Sequence, residues 1–191
     1  MSKSAASLNA QSVPESAAMS RGKRSSGAGA LSRRDFFETV VVQVRAAVPA
    51  ELATFRHRAH SWLLKIDFGN ERIHFEVWPD SLRGHVEIGL HFEDGPASTA
   101  AHLAYFDARI VEIKHLLGQH VELERWTLSW GHLFETVPLE RLDHRFARRV
   151  GDRLAAQITL LQPMVAEAAV PAERHDPRAA SGGRWSRRTK R

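Results

Sequence analysis

Residues 61–92 contain three short runs in which large apolar side chains alternate with polar ones. The apolar positions are Trp62, Leu64, Ile66 and Phe68, then Ile73, Phe75 and Val77, then Val86, Ile88, Leu90 and Phe92. Alternation with a period of two is typical of half-buried antiparallel strands. It predicts a sheet with one apolar face, which helices must cover, and a second face made of ionisable side chains.

The short connection between the first two runs predicts their register. Gly69-Asn70 is compatible with a two-residue hairpin turn, which would set Lys65 opposite His74. When the pairing is continued through the next loop, Glu76 is predicted to lie directly opposite Glu87. A loop of about six residues also permits a shift by two residues, which would separate the two glutamates. In this register the large apolar residues share one face of the sheet, and a slip by one residue would bury the charges.

Helical patterns flank these strands. The predicted helices cover about 32–48, 49–59, 95–118 and 139–165, with a capping start at Ser32 and a stop or kink at Pro163. Residues 121–138 are predicted to form one further strand with a bulge near Glu124-Arg125. Trp126 and Trp130 are predicted to be core residues, with an exposed aromatic patch as the alternative. The order α-α-β-β-β-α-β-α predicts an α+β fold with helices packed on one mainly antiparallel sheet.

Charge divides the chain into three regions. Residues 1–34 hold six Lys/Arg and one acidic residue, residues 171–191 hold seven and two, and residues 35–170 hold 14 and 19. We expect disordered basic tails at 1–31 and 169–191 around a single acidic domain at 32–168. An acidic domain disfavours a phosphate-binding surface on the domain itself and leaves polyanion contact to the tails.

Composition excludes several classes of protein. The chain has no cysteine, so disulfides and thiolate metal sites are ruled out. It has no apolar run near the roughly 20 residues that a membrane-spanning helix needs, and we expect a cytoplasmic protein without a membrane partner. Neither a Gly-x-Ser-x-Gly motif nor a glycine-rich phosphate loop is present.

Part of the chain resembles a known but uncharacterised family. The strand 86–90, the helix 106–118 and the segment 121–126, within a span of about 80 residues from Val86 to Val165, resemble a prokaryotic domain family found beside restriction-endonuclease-like domains. That family has no established activity. The resemblance implies a prokaryotic accessory domain with a connection to DNA defence.

The order of elements is also similar to that of PD-(D/E)XK nucleases, whose core is a helix, three strands, a helix and a strand. Pro79-Asp80 ends the second strand, and Glu87-Ile88-Gly89 lies on the third. In that family a lysine follows the acidic residue by two positions, where this chain has Gly89. The resemblance implies a degenerate metal-dependent nuclease in which Asp80, Glu76 and Glu87 bind the metal and Lys65 replaces the missing lysine.

The polar sheet face is the region of the domain in which to seek chemistry. Its predicted members are Lys65, Asp67, Arg72, His74, Glu76, Trp78, His85, Glu87 and His91. Opposed glutamates repel, and a bound Mg²⁺ or Mn²⁺ would relieve that repulsion and could activate water. The competing interpretation is a merely solvated face.

Pairs of potential metal ligands elsewhere do not form a complete site. His85 and His91 lie about 20 Å apart along one strand. His57 and His60 have a permitted helical spacing but no acidic third ligand, and Glu112 with His115 is a single Glu-x-x-His. We therefore expect no resident metal or cofactor, with Mg²⁺ or Mn²⁺ confined to the nuclease alternative.

The carboxyl-terminal run contains the second group of candidate site residues. It comprises Arg184, Trp185, Arg187, Arg188, Lys190 and Arg191. The cations could displace counterions from phosphates, and the indole could stack on an exposed base. The leading prediction is a non-catalytic accessory or interaction domain that contacts nucleic acid non-specifically through its tails. A protein partner or a homo-oligomer is a further expectation.

Overall fold

The alternating runs form the centre of a six-stranded antiparallel sheet in the computed structural model, which describes residues 29–168. The helices are α1 (Arg33–Ala47), α2 (Gly95–Asp107), α3 (Ile110–Leu117) and α4 (His144–Glu167). The strands are β1 (Arg56–Ala59), β2 (Leu64–Asp67), β3 (Ile73–Asp80), β4 (His85–Phe92), β5 (Glu122–Arg125) and β6 (Gly131–Pro138). The sheet order is β1-β2-β3-β4-β6-β5. The predicted α+β class and the general order of helical and strand regions are confirmed, and the predicted basic tails lie almost wholly outside the described residues.

Three predicted segments divide more finely than expected. The helix predicted over 49–59 is wrong. Ala50–Leu52 form a short 3-10 helix, and Arg56–Ala59 form β1 and pair with β2. The helix predicted over 95–118 is broken between α2 and α3 at Ala108 and Arg109. The expected bulged strand is instead a hairpin in which the backbone N–H groups of Trp126 and Thr127 donate to the carbonyl of Trp130.

The predicted strand register is wrong by two residues in both central hairpins. Lys65 pairs with Glu76 rather than with His74, and Glu76 pairs with Gly89 rather than with Glu87. The cause in the first hairpin is a longer turn, in which the Asp67 carboxylate accepts from the backbone N–H of Gly69. An even shift preserves the two faces of the sheet, so the separation of apolar and ionisable side chains is confirmed within β2, β3 and β4. The placement of Trp62 on the apolar face is wrong, because Trp62 precedes β2 and is 54% exposed.

The core lies between the apolar sheet face and the helices. Helix α1 packs against α4, and both contribute fully buried side chains such as Phe36, Val40 and Leu154. Side chains also cap the starts of both helices, since Ser32 accepts from the N–H of Asp35 and Asp143 accepts from that of Phe146. Within residues 29–168 no helix is both long enough and apolar enough to cross a lipid bilayer.

Candidate metal centre

The second face of the sheet is polar, yet several of its ionisable side chains are buried, and five of these lie on neighbouring central strands. They come from β3, β4 and β6 and are His74, Glu76, Glu87, His91 and His132, with relative exposures of 1%, 8%, 6%, 3% and 1%. Burial of ionisable groups opposes folding unless partners compensate for the lost hydration. The interpretation of this face as merely solvated is therefore wrong, and the contacts among these five side chains must compensate for their lost hydration.

Gly89 provides the space in which these side chains meet. Glu87 and His91 lie four residues apart on β4, about 13 Å along the strand, yet Glu87 Oε1 is 3.6 Å from His91 Nε2. The two side chains lean toward each other over Gly89. A Cβ at position 89 would lie 2.6 Å from the Cβ of Phe134, so only glycine leaves this space between Glu87 and His91 free.

Three residues converge in the middle of this face, and together we call them the central triad: Glu87, His91 and His132. Glu87 Oε1 lies 3.6 Å from His91 Nε2 and 3.2 Å from His132 Nδ1. One ligand atom from each residue lies within 4.8 Å of the other two. Atoms that bind one metal at about 2.1 Å lie about 3.0–3.4 Å apart, so small side-chain movements suffice for them to share an ion.

The hydrogen bonding of the central triad is incomplete. His91 Nε2 is buried without a hydrogen-bond partner among residues 29–168, although carboxylate oxygens of Glu76 and Glu87 lie 3.8 and 3.6 Å away. His132 Nε2 also has no partner in that part of the chain. A buried nitrogen that faces two carboxylates beyond hydrogen-bond distance is suited to an ion placed between them.

A second group of ligand atoms adjoins the triad. It comprises His74, Glu76, His91 and Glu93, and their ligand atoms also lie within 4.8 Å of one another. Here the ammonium of Lys65 lies 2.9 Å from Glu76 Oε1, 3.0 Å from His74 Nε2 and 3.8 Å from Glu93 Oε2. The second group therefore already contains a lysine ammonium, whereas the triad consists of one carboxylate and two imidazoles.

The electrostatics of the face favour ionised carboxylates. Burial acts to raise the pKa of Glu87, but its contacts with His132 and His91 outweigh burial and lower that pKa to about 2. For Glu76, burial again acts upward, while a hydrogen bond from His74, the charge of His91 and contact with Lys65 bring the pKa to about 2. Both side chains are consequently anionic ligands at neutral pH.

Aromatic side chains form a wall beside the triad. The centroids of the Trp126 and His132 rings are 4.1 Å apart, and the Phe134 ring stacks on His132 at a centroid distance of 3.9 Å. Trp126 and Trp130 are 46% and 48% exposed, so the prediction that both belong to the core is wrong. The turn between β5 and β6 places them at the surface, where Trp126 partly covers the triad.

The structure brings together only some of the residues predicted for a nuclease site. Lys65, Glu76 and Glu87 share the buried polar face, and Lys65 and Glu76 are in contact. Asp80 instead ends β3, where its Oδ1 accepts from the backbone N–H groups of Leu82 and Arg83. The six predicted nucleic-acid contacts, Arg184, Trp185, Arg187, Arg188, Lys190 and Arg191, lie outside the described residues.

The other histidines that the sequence suggested as potential metal ligands lie on different elements of the fold. His57 lies on β1 and His60 just after it, so the helical spacing considered for this pair does not apply. Glu112 and His115 are both exposed on α3. The sequence identified His91 on the polar face but missed its partner His132, because alternation within a strand does not reveal that β6 lies next to β4.

Comparison with known proteins adds no relative. No protein-family model, no curated protein and no solved structure matches this chain. The functional interpretation therefore depends on the chemistry of the residues themselves.

Proposed function

We propose that this domain binds one divalent transition-metal ion through Glu87, His91 and His132. The observation that carries the proposal is the buried Nε2 of His91, which has no hydrogen-bond partner within residues 29–168 and lies 3.6 Å from the Glu87 carboxylate. His132 Nδ1 lies on the same carboxylate oxygen at 3.2 Å. One ligand atom from each of the two imidazoles and the carboxylate thus lies within 4.8 Å of the other two.

The ligand set favours particular ions. Imidazole ligands suit zinc, iron, nickel and copper, whereas Mg²⁺ prefers oxygen ligands and retains its waters. Zn²⁺ is therefore the first ion to test, with Mg²⁺ as the comparison. Three protein ligands leave a further coordination position for water or substrate, as in zinc sites that perform catalysis. The proposal assigns no reaction.

Titration of the metal-free protein tests the proposal. After treatment with a chelator, wild-type protein is titrated with Zn²⁺ by calorimetry, beside Glu87→Gln and His132→Gln. Loss of outer contacts alone weakens metal sites by 10–100-fold, so loss of a ligand is expected to weaken Zn²⁺ binding by at least about 100-fold. His144→Gln, at an exposed position on α4, is the matched control and keeps wild-type affinity. Equal affinity in Glu87→Gln and wild type, or no binding by wild type, would refute the site.

The basic tails support a separate proposal of non-specific nucleic-acid contact. Residues 171–191 hold seven Lys/Arg against two acidic residues, while residues 35–170 are acidic overall. Such contact depends on counterion release and weakens with salt. Gel-shift titration over a salt series should show binding that is lost when residues 175–191 are deleted. Unchanged binding by the deletion variant would exclude the tail as the contact.

The nuclease alternative draws its support from Lys65, Glu76 and Glu87 sharing one buried face. It requires DNA cleavage with Mg²⁺ or Mn²⁺ that depends on Glu87. Comparison of wild type with Glu87→Ala in a cleavage assay tests it, and equal background cleavage by both proteins would eliminate it.

A further inference from the structure

We infer that Lys65 is a built-in cation that closes a second metal subsite formed by His74, Glu76 and Glu93. The inference extends the proposed function in one respect, since it limits the wild-type face to one metal ion. The subsite itself rests on its own contacts and can be tested without the triad.

The geometry of Lys65 supports this role. Its ammonium lies 2.9 Å from Glu76 Oε1, 3.0 Å from His74 Nε2 and 3.8 Å from Glu93 Oε2. These are the residues that, with His91, form a group of mutually close ligand atoms. The ammonium therefore contacts the atoms that would ligate an ion, and the two cannot be present together.

The charges support the same conclusion. Lys65 is one positive charge placed beside two carboxylates, those of Glu76 and Glu93. The contact is also imperfect, because His74 Nε2 lies 2.8 Å from Glu76 Oε1 as well as 3.0 Å from the ammonium. One imidazole nitrogen cannot both donate to the carboxylate and accept from the ammonium. A divalent ion would satisfy the same nitrogen and both carboxylates as ligands.

Replacement of the charge tests the inference. Lys65→Met retains most of the side-chain volume and removes the charge, and Lys65→Gln provides a second neutral variant if the first does not fold. Each chelator-treated protein is titrated with Zn²⁺ alone, and bound zinc is counted after gel filtration. We expect one more zinc ion per chain in the neutral variants than in wild type, bound at least about tenfold tighter than any additional zinc in wild type.

Two controls locate the additional ion. Lys65→Arg keeps the positive charge and should retain wild-type stoichiometry. Adding Glu93→Gln to Lys65→Met should remove the additional zinc, because Glu93 belongs to the second subsite and not to the triad.

The outcomes separate the two hypotheses. The inference is overturned if Lys65→Met and Lys65→Gln bind no more zinc than wild type, or if Glu93→Gln leaves the additional ion in place. If wild type binds no zinc but Lys65→Met binds one ion that depends on Glu93, the second subsite stands and the triad proposal fails. If all variants bind one ion that depends on His132, the triad stands and the inference about Lys65 fails.

Discussion

Glu76→Gln should remove a defined part of the acid sensitivity of the metal-free protein. Glu76 faces Lys65, His74, His91 and Glu93, and its pKa is about 2 against an ordinary value of 4.5. The charged form is therefore preferred in the folded state. A pKa difference of about 2.5 corresponds to about 3 kcal/mol of unfolding free energy at neutral pH.

The sign of the effect follows from the lowered pKa. The stabilisation is fully present above the unfolded pKa of 4.5 and is lost as the pH falls toward about 2. Glu76→Gln cannot ionise, so we expect it to be about 2–3 kcal/mol less stable than wild type near neutral pH. The difference should shrink steadily below pH 4.5, because only wild type loses the ionic contribution there.

Urea denaturation in the presence of a chelator measures this difference over a series of pH values. Glu112→Gln, which removes an exposed carboxylate on α3, serves as the matched control and should follow wild type within about 0.5 kcal/mol. A constant difference between Glu76→Gln and wild type at all pH values would refute the reasoning. So would a Gln variant as stable as wild type near neutral pH.

Three further predictions concern packing and the site. Gly89→Ala places a Cβ 2.6 Å from that of Phe134, so urea denaturation should show a loss of unfolding free energy of about 1–3 kcal/mol. Its Zn²⁺ affinity should also fall, and wild-type stability together with wild-type affinity would contradict the role assigned to Gly89. Leu154→Ala, at a fully buried position, should cost about 2–5 kcal/mol in the same assay, whereas Leu82→Ala, at a side chain 99% exposed, should cost less than about 0.5 kcal/mol. Because Trp126 lies beside the triad, Ni²⁺ should quench its fluorescence, and equal quenching in Trp126→Phe would place the ion elsewhere.

The sequence was sufficient to predict the two faces of the sheet but not the register. Alternation assigned Ile66, Phe75 and Ile88 to the buried apolar face, and all three are at most 1% exposed. The register depended on the length of one turn, and the Asp67 side chain stabilises a longer turn than Gly69-Asn70 alone suggests. This hydrogen bond from the backbone to a side chain favours a turn length, and hence a register, that periodicity alone does not reveal.

The candidate site was predictable only in part for a related reason. Lys65 and His74 were expected to be neighbours, and they are 3.0 Å apart despite the wrong register, because a long side chain reaches the diagonal position. His132 lies 41 residues after His91 and meets it only because β6 pairs with β4. Strand order is set by long-range packing, and no local pattern in the chain encodes it.

Glu135 is a buried carboxylate whose contacts differ from those of the central triad. Glu135, on the helix side of the sheet, accepts from Gln157 at 3.0 Å and contacts Arg153 and His120, so its charge is fully compensated. A buried nitrogen without a partner does not by itself mark a candidate site, since His102 Nε2 also has no partner among residues 29–168 although its ring stacks on Phe92 in the core. Among the described residues, only His91 combines an unpartnered buried nitrogen with two carboxylates just beyond hydrogen-bond distance. Because uncompensated burial of such a nitrogen opposes folding, the metal ion proposed for the triad would supply the partner that His91 Nε2 lacks among residues 29–168.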